Sequence, residues 1–298
     1  MTRDSSPKVS VIIPSYNRAD FIRQTVDTVL QQTFKDIELI VVDDGSTDET
    51  RKILAEYGNR IILLGHDGWR NKGQSASINL GLRHAKGRYV SILDSDDYWE
   101  PEKIEVQYTF LESHPEVGVV YCNGVAVNSM GEYLYDIYPL GHLEENKPDD
   151  LLMNCYIFLP TNAMCRAALF DKAGNFDEGL RSAQDHDMLI RLIEICKFAY
   201  IDRKLFAYRR HQQTISRKNA DLRWKNGFLI LDKARGRYPY GSKTLRKRKA
   251  VLHFRLAQCY RENIKLIPML IHLLLSGLYD PKRAFAVLRG AERITSHH

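Results

Sequence analysis

Three carboxylates fall within four residues at Asp94-Ser95-Asp96-Asp97, directly after the apolar run Tyr89–Leu93. Acids this close repel one another unless a cation or hydrogen-bond donors compensate. Hard oxygen donors suit Mg2+ or Mn2+, which take one or two protein carboxylates and leave places for water and phosphate oxygens. A cation held there can neutralise a departing diphosphate. The plainer reading is a solvated turn capping a helix that begins at Pro101. A position straight after a buried strand favours the cation. A second acidic pair, Asp43-Asp44, follows Ile37–Val42 and leads into Gly45-Ser46-Thr47-Asp48. Two acids exceed what a turn and a helix cap need. A carboxylate at a strand end can accept the ring N–H of a base such as uracil. Two further residues keep two readings each. Asp185 is either a general base at an acceptor hydroxyl or the N-cap of the helix it opens, with Asp187 beside it. His211, in a basic loop, is either a ligand or ordinary surface.

The elements around these residues explain why the acids meet. Val9–Ile13, Ile37–Val42, Arg60–Leu64, Tyr89–Leu93 and Val117–Cys122 are short apolar runs of the kind buried on both sheet faces. Helical patterns separate them: one capped by Asp20, one by Ser46 or Thr47, one over Ser77–Ala85 and one from Pro101. Strands alternating with helices imply right-handed crossovers and a mostly parallel sheet, whose ligands bind beyond the carboxyl ends of the strands. Pro14-Ser15-Tyr16-Asn17, Asp43-Asp44 and Asp94–Asp97 all stand at such ends. Gly124–Arg210 is less regular, with a helix expected at Asp185–Cys196 and strands at Phe198–Ile201 and Leu205–Tyr208. Three or four helices follow Ser216, broken near Gly241, Asn263 and Asp280–Pro281.

Taken together, VSVIIPSYN (Val9–Asn17), IELIVVDDGSTDET (Ile37–Thr50), Asn71-x-Gly73 with Asn79-x-Gly81, and GRYVSILDSDD (Gly87–Asp97) resemble the inverting family 2 glycosyltransferases. So do QDHDMLIRL (Gln184–Leu192) and YRRHQQTIS (Tyr208–Ser216), and the likeness covers about residues 7–216 in order. The resemblance implies a GT-A type fold: an α/β, Rossmann-like mixed and mostly parallel sheet flanked by helices, with a C-terminal helical appendage. Residues 1–217 would be catalytic, split into a nucleotide-sugar half (about 1–123) and an acceptor half (about 124–217). Residues 218–298 would be helical.

The same resemblance implies the roles. Pro14, Tyr16 and Asn17 belong to the nucleoside pocket, with Tyr16 stacking on the base. Asp44 holds the ring N–H and Asp43 supports it. The stretch from Asn71 and Gly73 to Asn79 borders base and ribose, and Asp94 and Ser95 approach the ribose or sugar. Asp96 is the first metal ligand, Asp97 the competing one, and His211 reaches the metal or diphosphate, with Arg209 or Arg210 nearby. Asp185 is the general base. Gln184 departs from the Glu common before that Asp, which bears on acceptor contacts. The implied reaction is metal-assisted single displacement from a nucleoside-diphosphate sugar, UDP first, to a saccharide or lipid-linked saccharide. Mn2+ or Mg2+ is the expected cofactor, and bacterial surface glycan synthesis the expected setting. A sugar-phosphate nucleotidyltransferase would open with a Gly-rich phosphate loop, which Pro14-Ser15-Tyr16-Asn17 is not. A non-catalytic nucleotide-sugar binder could dispense with Asp185.

Composition bounds the rest. The chain has 298 residues, 44% hydrophobic, enough for a large α/β domain with an appendage. Net charge is +6, and the basic tail lacks the interleaved aromatics of a nucleic-acid platform, so no nucleic acid is expected. Five scattered cysteines without a CxxC pair read as reduced core residues. Met1–Lys8 carries no signal-peptide pattern, so a cytoplasmic location is expected. The apolar stretch Ile264–Leu278 is too short to span a bilayer. With Lys243, Arg246, Lys247, Arg248 and Lys249 it suits either peripheral contact with the inner face of a membrane or a packed helical layer or homodimer.

Overall fold

The computed structural model describes residues 6–211 and 220–282. β1 (Val9–Ser15) runs through the middle of the first sheet half, fully buried, and pairs in parallel with β2 (Ile37–Asp43) and β4 (Tyr89–Ile92). β3 (Ile62–Gly65) adds in parallel to β2. The crossovers are α1 (Ile22–Leu30), α2 (Thr50–Ala55) and α3 (Gln74–His84). Ile22, Val26 and Val29 of α1 bury against the same core as Val9, Val11 and Ile13. Pro14 lies past the last β1–β4 partners, Ile12 and Ile92, where its missing N–H costs no ladder bond.

The sheet then changes character. Its order is β3-β2-β1-β4-β8-β6-β9-β5 with β7 attached to β6. β8 (Ala163–Arg166) is antiparallel to both β4 and β6 (Val117–Val127). β6 is therefore parallel to β4 again, and β9 (Lys197–Arg209) is parallel to β6. β5 (Tyr98–Trp99) and β7 (Tyr133–Asp136) are short antiparallel additions. Most paired residues thus sit in parallel ladders, and the carboxyl ends of β1, β2, β4, β6 and β9 face one edge. The remaining elements of this part are α4 (Lys103–Ser113), a distorted turn α6 (Leu159–Asn162), α7 (Ala168–Ala173) and α8 (Gln184–Ile193). This is the mixed, GT-A type α/β fold expected.

Several local expectations are corrected. Asp20 does not cap α1; Phe21 is the cap residue and makes no side-chain bond. Ser46 and Thr47 do not cap α2, which starts at Thr50 behind Glu49, because both hydroxyl-bearing residues are engaged with Asn17 instead. The turn at Pro101 precedes α4 by two residues. Phe198–Ile201 and Leu205–Tyr208 are halves of the single strand β9, joined through a register shift. The irregular middle contains β8, which the sequence pattern did not suggest.

The chain divides into two compact units. The first comprises Met1–Asn146, Tyr156–Gly179 and Gln184–His211. The second comprises Lys147–Cys155, Leu180–Ala183 and Gln212–His298, and so draws two short pieces from within 1–217. Its described elements are α5 (Pro148–Met153), α9 (Ala220–Arg237), α10 (Ser242–Glu262) and α11 (Leu266–Tyr279). Hydrogen bonds hold the pieces in place: Arg248 donates to the Met153 carbonyl at 2.7 Å and Asn226 to that of Ser182 at 2.9 Å. No helix among the described residues is long and apolar enough to cross a membrane.

Candidate active site

The first unit carries the acids expected at the strand ends, and the structure gives them unlike surroundings. Asp96 follows β4, is only 14% exposed, and has Oδ2 3.1 Å from Arg18 Nε and 2.9 Å from His211 Nε2. β9 delivers His211 to the same edge as β4. Burial pushes the Asp96 carboxyl up, but the His211 contact and the Arg18 guanidinium outweigh it and hold the group below the usual carboxylate range. Asp94 is the opposite case. Burial, with the nearby Asp96 and Asp185 carboxylates, raises it to about 8. That coupling places Asp185, at the start of α8, within electrostatic reach of Asp94.

A side-chain relay closes the gap between these acids. Gln74 Nε2 donates to Asp94 Oδ1 at 2.7 Å, and Gln184 Nε2 donates to Gln74 Oε1 at 2.5 Å. Gln184 Oε1 is buried without a hydrogen-bond partner. Its amide thus orients the start of α8 while keeping one acceptor available, which is what Gln offers in place of Glu. Gln74 was not singled out by sequence, since an uncharged residue opening a helix carries no signal there. Nor was Arg18, a single basic residue in the β1–α1 loop.

Asp97 has different partners. Its Oδ1 accepts the Arg209 backbone N–H at 2.8 Å, and its Oδ2 accepts the Thr161 hydroxyl at 2.7 Å. Burial, then the charges of Asp96 and Asp94, raise its carboxyl well above the usual range. Both oxygens being spent on framework bonds, Asp97 does not fit the competing-ligand role. Thr161 itself has φ 107°, a strained value for a β-branched residue, held by its bonds to Asp97 and to Trp99 Nε1. Arg209 braces the same corner, donating to the Asp96 carbonyl and to Gln24.

The residues expected around a nucleoside come from three loops. Asn17, at φ 52°, is tied to the β2 loop: its N–H reaches Ser46 Oγ at 2.9 Å and its Oδ1 accepts the Thr47 N–H at 2.8 Å. Asp44 clamps the third loop, its two oxygens accepting Lys72 N–H at 2.7 Å and Gly73 N–H at 2.8 Å. Gly73 adopts φ 93°, and Gly45 adopts φ 78° where a Cβ would meet the Trp69 carbonyl oxygen at 2.3 Å, so both positions require glycine. Asp43 and Ser15 are register partners at the ends of β2 and β1, and Asp43 Oδ2 and Ser15 Oγ are both buried without a hydrogen-bond partner. The acceptor without a partner thus lies on Asp43, next to the Asp44 to which the resemblance assigned the ring N–H. Pro14 is buried within β1, whereas Tyr16 is 42% exposed and Asn71 is exposed. Ser95 is buried, with its carbonyl accepting the Thr25 hydroxyl at 3.1 Å. Asn79 does not join these residues. Its amide is used up by Phe176 and by Glu178, which makes it a tie between α3 and the 176–178 segment.

Among the described residues no three His, Cys, Asp or Glu form a ready metal cage. A carboxylate beside an imidazole, with a second carboxylate close by, still fits Mn2+ or Mg2+, which complete their shells with phosphate oxygens and water. Asp96 and His211 would hold such an ion.

Comparison with known proteins gives the family and the fold. The family model described as Glycosyl transferase family 2 matches residues 10–174, more than half of the chain. A Rickettsia prowazekii protein described as an uncharacterized glycosyltransferase is 34% identical over 215 residues, 69% of this chain and 65% of its own length. A chondroitin synthase from Pasteurella multocida is 30% identical over 234 residues, 78% of this chain and 23% of its own length. The chain thus spans less than two thirds of these relatives. Among solved structures, S. aureus TarS 1–349 in complex with UDP-GlcNAc matches with a TM-score of 0.69 and 21% identity, covering 94% of this chain and 83% of that one. A mannosyltransferase from Pyrobaculum calidifontis, in complex with GDP-Man and Mn2+, matches with a TM-score of 0.61 and 20% identity, covering 96% and 79%. At these identities the structural likeness speaks for the fold. The family match over residues 10–174 includes Asp43, Asp44, Asp94 and Asp96, and the chain belongs to glycosyl transferase family 2.

Proposed function

We propose that the chain is an inverting glycosyltransferase that moves a sugar from a nucleoside-diphosphate sugar to a hydroxyl of a saccharide or lipid-linked saccharide. The observation that carries this reading is the contact of Asp96 with His211, beside an Asp94 carboxyl that feels the charges of both Asp96 and Asp185. A bound Mn2+ or Mg2+ supplies positive charge to the departing diphosphate. The chain's own residues supply the rest. Asp96 and His211 would hold the ion, and Arg18 adds a fixed cation 3.1 Å from Asp96. Asp185 accepts the acceptor's hydroxyl proton as that oxygen attacks the anomeric carbon opposite the diphosphate. The anomeric C–O bond breaks, its electron pair leaves on the diphosphate, and an α-linked donor gives a β-linked product. Asp94, fixed by Gln74, orients the donor sugar.

UDP is the favoured nucleotide. An orphaned acceptor at Asp43, with the exposed Tyr16 ring, suits a base that offers a ring N–H and a face. TarS binding UDP-GlcNAc supports the same choice, and the Mn2+ of the mannosyltransferase supports a divalent cation. Residues 1–217 would then be the catalytic region. The test is a panel of UDP-, GDP- and dTDP-sugars incubated with the purified protein, with and without Mn2+. Metal-dependent release of nucleoside diphosphate, greatest with a UDP-sugar, is expected. No release from any donor would reduce the protein to a binder.

A further inference from the structure

The second unit carries a surface that the chemistry above does not use. α11 is 14 residues long and contains no Asp, Glu, Lys or Arg. One side packs on α10: Ser276 Oγ donates to the Ala250 carbonyl at 2.9 Å, and Tyr279 stacks on His253. The other side is left to solvent. Ile267, Leu270, Ile271, Leu274 and Leu278 are 74%, 54%, 49%, 71% and 74% exposed. Their spacing puts them in one stripe along the helix, and exposed apolar area this continuous marks a docking surface.

Charge selects the occupant. Residues 220–282 contain fourteen Lys and Arg against four Asp and Glu, while residues 1–219 contain 26 against 32. The positive charge of the chain is therefore concentrated in the unit that bears the stripe. Exposed Arg261 and Lys265 stand just before α11, exposed Lys282 just after it, and Lys249 Nζ lies 5.7 Å from the Tyr279 ring. A second copy docked face to face would bring two strongly basic units together, which is unfavourable. An anionic bilayer supplies both complements at once: acyl chains for the stripe and phosphates for the flanking cations.

We propose that the α11 stripe seats in the interfacial layer of an anionic lipid bilayer, the helix lying in the membrane plane. This does not depend on the assignment of donor or acceptor. The test is flotation of the full chain with vesicles of phosphatidylcholine alone and of phosphatidylcholine mixed with phosphatidylglycerol. Flotation with the mixed vesicles only is expected, weakening about fivefold for each flanking Lys replaced by Gln. The double variant Leu270→Glu, Leu274→Glu alters exposed positions, so it should keep its helical circular dichroism and lose flotation. Failure of the wild-type chain to float with anionic vesicles overturns the proposal. So does equal flotation of the double variant, which would mean charge alone binds. A concentration-dependent dimer in light scattering, dispersed by the double variant and formed without flotation, assigns the stripe to a second copy instead.

Discussion

Asp96 Oδ2 lies 2.9 Å from His211 Nε2, across 115 positions of sequence. The contact joins the end of β4 to the end of β9, and it sets two adjacent acids apart by their partners. Asp96 meets Arg18 and His211, while its neighbour Asp97 is bonded to Arg209 and Thr161.

Two substitutions test that separation. Asp96→Asn should abolish Mn2+-enhanced binding of UDP and lower turnover by about 1,000-fold, since charge at the leaving group is usually the largest catalytic contribution. Asp97→Asn should retain that binding. Its two oxygens face the Arg209 backbone N–H and Thr161, and an Asn of the same shape can still meet both. Asp97→Ala, by contrast, strands two donors and should cost about 1–3 kcal/mol of stability in urea unfolding. Loss of metal-enhanced binding in Asp97→Asn, with the fold intact, would restore Asp97 as a ligand.

Asp185→Asn should separate binding from chemistry. A general base contributes about 100- to 10,000-fold, so kcat should fall in that range while UDP-sugar affinity stays within about twofold. Wild-type turnover by this variant would dismiss Asp185 as the base.

Gln74 is a positioning residue whose two bonds join Asp94 to Gln184. Gln74→Leu keeps the volume and removes both. A displacement of about 1 Å at a reacting group costs up to about 100-fold, so kcat should drop by about 10- to 100-fold. Donor affinity should weaken less, because the nucleoside loops are untouched. An unchanged kcat, measured at saturating donor and acceptor, would make the relay incidental.

The histidine pair of the helical unit sets a pH limit. His253 Nδ1 lies 2.9 Å from His272 Nδ1. Burial, His272 and Lys249 lower His253 to about 4, and burial with Lys225 lowers His272 as well. Folded-state values below the ordinary 6.5 mean that the unfolded chain takes up these protons first. Their contribution to stability is therefore complete above about pH 6.5 and is lost as pH falls from there toward 4. Thermal unfolding followed by circular dichroism should show Tm dropping across that window, with a shallower drop in His253→Phe. An identical drop in the variant would place the pH sensitivity elsewhere.

How far the sequence led depends on the element. β1, β2, β4 and the start of β6 were readable because β-branched runs such as Val9–Ile13 fill strands buried on both faces. The breaks at Gly241 and Asn263 were readable because those residues end periodic helical patterns. β8 was not, since Ala163–Arg166 is four residues with no β-branched side chain. β9 read as two strands because Asp202, Arg203 and Lys204 interrupt its apolar pattern. In the site, charge density exposed Asp43, Asp44, Asp94 and Asp96. Which of two adjacent acids faces the ligand was not readable, because that depends on Thr161 and Arg209 arriving from distant segments. The contacts of Gln74 with Asp94 and Gln184, and of Arg18 with Asp96, are likewise long-range. Asn79 matched a motif but serves packing.

Asp96 and His211 are proposed to hold a divalent ion against a nucleoside diphosphate. Isothermal calorimetry of UDP binding to the wild-type chain, with Mn2+, with Mg2+ and with chelator, measures this directly. Binding tightened by about tenfold or more in the presence of either ion is predicted. Equal UDP affinity in all three conditions would contradict it and leave the acids at the strand ends as formers of turns.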